Sequence, residues 1–226
     1  TSIILCLFEV IPLYWEAYVV ITFLADLRTY CPAHYEDLDN NEKEQEQKFK
    51  TEYFKKRFTI SRSLLKRILQ PVLGADNPSD ILLRKGKGGR VIVPGRPGIY
   101  ISLSYSGHLT AISIGKQKIG CDIEEVRPVK TRKIETSPVF IHYNCSKDRA
   151  PLQQVIHAWT LIESYAKLHD KNPYPLLNSC ALFRNANFVS YCIDNHVILS
   201  LASGKIQFTH TLVWLDTPGT EKSYLP

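Results

Sequence analysis

Methionine is absent from this chain of 226 residues, and its six cysteines, Cys6, Cys31, Cys121, Cys145, Cys180 and Cys192, contain no C-x-x-C pair. Scattered cysteines argue against both a zinc ribbon and a disulfide scaffold, and a reducing cytoplasm is the simpler location. An uninterrupted apolar run is lacking as well. Ser2 to Leu24 is apolar, but Glu9, Pro12 and Glu16 break it within the span a transmembrane helix needs. It has neither the basic start nor the small-residue cleavage site of a secretory signal. His108, His157 and His169 show no metal-ligand grouping and read as structural or surface histidines. The glycine-rich turn Lys85-Gly-Lys-Gly-Gly-Arg90 matches no P-loop and reads as a flexible basic connection.

Charge of either sign is in modest supply: 28 Lys+Arg against 22 Asp+Glu leave a formal net charge of +6. Such a balance suits an acidic partner, a protein or a phosphate-bearing ligand as readily as RNA, and it bears on association rather than on fold. Hydrophobic residues make up 44% of the chain, enough for a sizeable core. The length fits one large domain or two of about 110 residues each.

Periodicity supplies the organisation. Ser2 to Val10 reads as a strand, and Trp15 to Thr29 is ambiguous because its apolar residues are nearly continuous. From Asp39 to Leu73 the pattern is helical, one long helix or a pair, with Asn40 or Asn41 as the N-cap and Gly74 as the stop. Val91 to Val93, Ile99 to Ser104, Leu109 to Ile114 and Lys118 to Ile123 read as short strands. The second half begins with a helix near Leu152 to His169, opened by Pro151. Strands follow over Ser179 to Asn185, Phe188 to Ile193, Val197 to Ser200 and Lys205 to Trp214. Helix then antiparallel strands, twice over, predicts an α+β fold of two similar halves, 1–116 and 117–226.

The chemistry concentrates in Ser102-Leu-Ser-Tyr-Ser-Gly-His108 and in Ile119-Gly-Cys-Asp-Ile-Glu-Glu125. Residues two apart in a strand share a face about 6.6 to 7 Å apart, so Asp122 and Glu124 can reach one hard cation while Ile123 points into the core. Mg²⁺ suits two such carboxylates. Taken alone, D-x-E is as readily a solvated strand end. On the predicted helix, Trp159, Glu163 and Lys167 lie on one side at four-residue steps, adding a third carboxylate and a cation. The bland alternative for Glu163 and Lys167 is an exposed i,i+4 ion pair.

Together these blocks resemble the 4′-phosphopantetheinyl transferase superfamily of the surfactin-synthetase-activating type, whose signatures read roughly G-K-P, S-H-S-G, G-x-D-I-E and W-x-x-K-E-x-x-x-K. The resemblance covers roughly residues 40 to 170, and Gly89 to Glu125 follow the pattern without a gap. Glu42-Lys-Glu-Gln-Glu-Gln-Lys-Phe49 and Lys56 to Arg67 look like the family's basic N-terminal helix region. Tyr105 stands where the family has histidine, Ile162 where it has the lysine before the helical glutamate, and Asp170-Lys-Asn172 where Gly-Lys-Gly is common.

The resemblance implies a pseudo-twofold fold with the active site between the halves. The implied reaction is Mg²⁺-dependent transfer of phosphopantetheine from coenzyme A to a serine of an apo acyl or peptidyl carrier protein. By the same resemblance Asp122, Glu124 and Glu163 would hold Mg²⁺, and Glu163 and Lys167 would be catalytic. Arg57, Arg90, Ser104, Tyr105 and Lys167 would bind coenzyme A, with Lys43 a weaker candidate. A noncatalytic relative that binds coenzyme A or a carrier protein is the alternative. A cytoplasmic monomer is expected, with neither nucleic acid nor membrane as a partner. Tyr105→His and Ile162→Lys are expected to preserve or raise transfer.

Overall fold

The computed structural model describes residues 19–29, 35–128, 132–143, 150–179, 186–204, 208–215 and 223–224. The expected strand over Ser2 to Val10, nearly all of that over Ser179 to Asn185, and Cys6, Cys31, Cys145 and Cys180 lie outside them. The fold is α+β. The ambiguous early segment is strand β1 (Val19–Asp26), buried along almost its whole length, which explains why no alternation shows in its sequence.

The expected long helix is a pair. Helix α1 (Asn40–Gln47) is capped by Asp39 rather than by Asn40 or Asn41, since Asp39 accepts from the Glu42 N–H and Glu42 accepts in return. Helix α2 (Glu52–Leu73) begins at Thr51 and ends at Gly74, whose φ of 64° is the left-handed conformation glycine adopts without strain.

Two short strands, β2 (Arg84–Lys85) and β3 (Val91–Ile92), flank the glycine-rich turn. Strands β4 (Tyr100–Ser106), β5 (Leu109–Gly115) and β6 (Ile119–Glu125) follow, then the short helices α3 (Arg132–Glu135) and α4 (Pro138–Tyr143). Helix α5 (Pro151–His169) does start at Pro151, and β7 (Asn187–Ile193), β8 (Val197–Ser203), β9 (Thr209–Leu215) and β10 (Ser223–Tyr224) complete the described chain.

One sheet has the order β10-β9-β1-β5-β4 and a second has the order β6-β8-β7. Strand β9, distant in sequence, pairs in parallel with β1, so the first sheet draws on residues from both sides of position 117. On one face of this sheet, Ile21, Phe23, Ile112 and Ile114 share a core with Leu64, Leu65 and Ile68 of α2. On the other, Val20, Leu24 and Ala111 pack against Ile119, Ile123, Leu199 and Leu201 of the second sheet. The opposite face of that second sheet receives α5. Gly120 marks the contact: a Cβ there would lie 1.8 Å from the Ser164 carbonyl oxygen.

Between the sheets runs a buried polar chain. The Tyr191 hydroxyl lies 2.7 Å from His210 Nδ1, His210 Nε2 lies 3.0 Å from Thr22 Oγ1, and Thr22 Oγ1 lies 2.7 Å from Ser113 Oγ. Burial lowers the His210 pKa to about 4. The same apolar layer pushes the Cys121 thiol up to about 12, which removes it as a nucleophile at neutral pH.

Gly120→Ala is expected to lose at least about 2 kcal/mol in urea unfolding, because helix and strand must separate. Gly98→Ala, where a Cβ meets nothing within 4 Å, serves as the near-neutral control. His210 contributes a pH dependence of definite sign. Its folded pKa lies below the ordinary 6.5, so its stabilisation is complete above that value and is lost as pH falls through about 4. About 3 kcal/mol should disappear across that window, and His210→Gln should flatten that part of the stability profile.

Candidate functional site

Alternation along β4 directs Ser102, Ser104 and Ser106 to one face, against the neighbouring β6. Ser102 Oγ accepts from the Cys121 N–H at 2.9 Å, Ser104 Oγ donates to Asp122 Oδ1 at 2.7 Å, and Ser106 Oγ donates to Glu124 Oε2 at 2.7 Å. Ser106 Oγ also accepts from the Glu125 N–H at 2.9 Å. The two strands belong to different sheets, so these hydroxyls take the place of a backbone ladder.

Helix α5 covers the carboxylate face of β6. Lys167 Nζ lies 2.7 Å from Asp122 Oδ1 and 2.9 Å from Ser104 Oγ. Burial opposes the Lys167 charge, but Asp122 outweighs it and holds the ammonium above its ordinary pKa. Asp122 Oδ2, by contrast, is buried with no hydrogen-bond partner among the described residues. Burial pushes Glu163 up to about 7, and Asp122 and Glu124 reinforce the rise against the opposing effect of Lys167. Glu124 is raised as well, first by burial and then by Asp122, against its hydrogen bond from Ser106. Three acidic side chains on β6 and α5 thus feel one another, with Lys167 as the cation between them.

Among the described residues, no group of three or more His, Cys, Asp or Glu side chains forms a ready metal cluster. The donors are nevertheless of the chemical kind that a hard cation takes. Carboxylate oxygens are the ligands Mg²⁺ takes, Asp122 Oδ2 has an unused lone pair, and mutual repulsion among Asp122, Glu124 and Glu163 is what a divalent charge would relieve.

Beside this cluster opens a cavity of about 330 Å³. Among the described residues, Arg57, Arg62, Lys85, Arg90, Lys167 and Lys171 all line it, against a single acidic side chain, Asp170. Apolar area comes from Phe49, Phe54, Phe58 and the strand β4. Such a lining suits an anionic ligand with a flat, apolar portion.

The expected binding residues differ in how free they are. The Arg57 guanidinium stacks over Phe54 at 4.8 Å and over Tyr105 at 4.9 Å, with no carboxylate partner among the described residues. Arg90 is committed elsewhere. Its Nε donates to Asp170 at 3.0 Å, its Nη1 donates to the Ile101 and Ile119 carbonyls, and its Nη2 donates to the Lys167 carbonyl. It acts first as a structural tie and has little left for a phosphate. The Ser104 hydroxyl is spent on Asp122 and Lys167. The Tyr105 ring lines the cavity, but its hydroxyl donates to Ser61 at 2.9 Å. Lys43 lies over the Tyr35 ring at 5.3 Å. Trp159 packs against the core beneath α5 and contacts Tyr174.

Asp170 shows in the sequence only as a departure, yet it joins the site. Its φ of 53° is left-handed, and its carboxylate receives Arg90 and, at 2.8 Å, Lys118. Lys85 and Lys171 have no signal beyond their charge. Ile162 corrects an expectation: it is fully buried in the cluster with Val139, Val155 and Tyr165, so a lysine there could not serve the site. Ile162→Lys should destabilise the protein by about 4 kcal/mol through its buried ammonium, read by thermal or urea denaturation. No protein-family model matches the chain, and a search of curated proteins returns no match.

Proposed function

We propose that the chain is a Mg²⁺-dependent 4′-phosphopantetheinyl transferase, built of two α+β halves related by a pseudo-twofold axis. The observation that carries this is the sharing of Lys167 between the basic, aromatic-lined cavity and the carboxylate cluster. A phosphate-bearing ligand in the cavity would thereby be brought beside acidic groups able to hold a cation. Coenzyme A matches the lining, with an adenine for the aromatic side chains and phosphates for Arg57, Lys85, Lys171 and Lys167.

Asp122, Glu124 and Glu163 would hold Mg²⁺, whose role is to neutralise and orient the pyrophosphate. Lys167, which lines the cavity, would meet phosphate oxygens. Glu163 would accept the proton of the carrier serine hydroxyl, directly or through water. A serine O–P bond forms at the β-phosphate, and the P–O bond to the departing 3′,5′-adenosine diphosphate breaks. The chain is proposed to work as a cytoplasmic monomer with an apo acyl or peptidyl carrier protein as partner. Among the described residues, no helix is long and apolar enough to cross a membrane.

A noncatalytic relative that binds coenzyme A or a carrier protein is the second reading, favoured by Tyr105, whose hydroxyl is held by Ser61, and by the buried Ile162, at the two positions where the resemblance expects histidine and lysine. One experiment separates the two. Incubated with coenzyme A, Mg²⁺ and several apo carrier proteins, the enzyme should add phosphopantetheine to a carrier, seen by intact mass. Glu163→Gln should cut the rate by about a hundredfold or more while weakening coenzyme A binding much less. Tight coenzyme A binding with no adduct on any carrier would sink the enzymatic reading, and no binding at all would sink both.

A further inference from the structure

We propose that Lys167 and a divalent cation compete for the Asp122 carboxylate, and that this exchange couples cation binding to the binding of a phosphate-bearing anion in the cavity. The proposal deepens the reading above and rests on its metal site. Asp122 Oδ1 holds Lys167 Nζ at 2.7 Å and Ser104 Oγ at 2.7 Å, so a single oxygen takes both donors while Oδ2 has none among the described residues. The Asp122 side chain is only 5% exposed, whereas that of Lys167 is 29% exposed. Of the two groups the ammonium, on the more exposed and more flexible stem, is the one with room to move.

Charge gives the direction. Asp122, Glu124 and Glu163 feel the Lys167 ammonium from α5 and, among the described residues of the loop after β6, Arg127, 3.7 Å from Glu124. Carboxylate is in excess, and a divalent ion offsets it better than an ammonium can. A cation on Asp122 would repel an ammonium at hydrogen-bond distance from the same carboxylate. Lys167 already lines the cavity, where anionic oxygen is the complement to its neighbours Arg57, Lys85 and Lys171. An anion there draws Lys167 from Asp122 and opens the carboxylate to the cation, and the cation frees Lys167 for the anion. Such coupling is reciprocal by linkage.

The test is calorimetric titration of Mg²⁺ into the wild type and Lys167→Met, with and without 3′,5′-adenosine diphosphate, which lacks a chelating pyrophosphate. Lys167→Met should bind Mg²⁺ about tenfold more tightly than the wild type. The nucleotide should tighten Mg²⁺ binding several-fold in the wild type and not in Lys167→Met. A second measurement needs no variant to fold well. In wild-type protein with ¹³C-labelled lysine, Mg²⁺ should shift the Lys167 Cε resonance, assigned by its loss in Lys167→Arg. Equal or weaker Mg²⁺ binding by folded Lys167→Met, or an unmoved Cε resonance at saturating Mg²⁺, overturns the exchange and leaves the metal site standing. Absence of Mg²⁺ binding in every variant overturns the exchange together with the metal site.

Discussion

Hydroxyl-to-strand hydrogen bonds from Ser102, Ser104 and Ser106 join β4 to β6 where two sheets meet without a shared backbone ladder. Each such bond is worth only about 1 kcal/mol net, but leaving the buried groups unpaired would cost more. Their spacing also sets register. Because the serines recur every second residue, they meet alternate positions of β6, which brings Asp122 and Glu124 to the covered side and leaves Ile123 between the sheets. Lys167 then has a fixed carboxylate to reach. Cluster and cavity both follow from that alignment.

Helix α5 is held against the same strand by two unlike devices. Gly120 gives close approach at one point, with the Ser164 carbonyl in the space a side chain would fill. Arg90 supplies the other, drawing the end of α5, β4, β6 and Asp170 together through one guanidinium. A lysine could not make that set of bonds, since it lacks the planar fork. The left-handed Asp170 is tolerated because its carboxylate bridges Arg90 and Lys118. Gly88 faces it at a distance that leaves no room for a Cβ.

Elements with a strong local signature were legible. Pro151 announced the start of α5, Gly74 the end of α2, and the alternation in β4 and β6 set out the serine and carboxylate faces. The cap of α1 falls before the two asparagines because Asp39, Asn40 and Asn41 are chemically near-equivalent as caps, and only the reciprocal bond with Glu42 separates them. Short helices α3 and α4 gave no periodic signal at their lengths. What composition cannot convey is engagement. Arg57 and Arg90 look alike as cations in a string of letters, yet one lies over aromatic rings and the other is bound through its Nε and both terminal nitrogens.

The parallel pairing of β1 with β9 has a consequence for biosynthesis. As the chain leaves the ribosome, β1 can acquire β5 once residues 109–115 have emerged, but its other edge waits for residues 209–215. Until then the apolar-rich strand Val19–Asp26 offers unpaired backbone groups on that side. Until residues 209–215 emerge the nascent chain therefore carries a sticky edge, and its closure comes after the pairing of β1 with β5 has become possible.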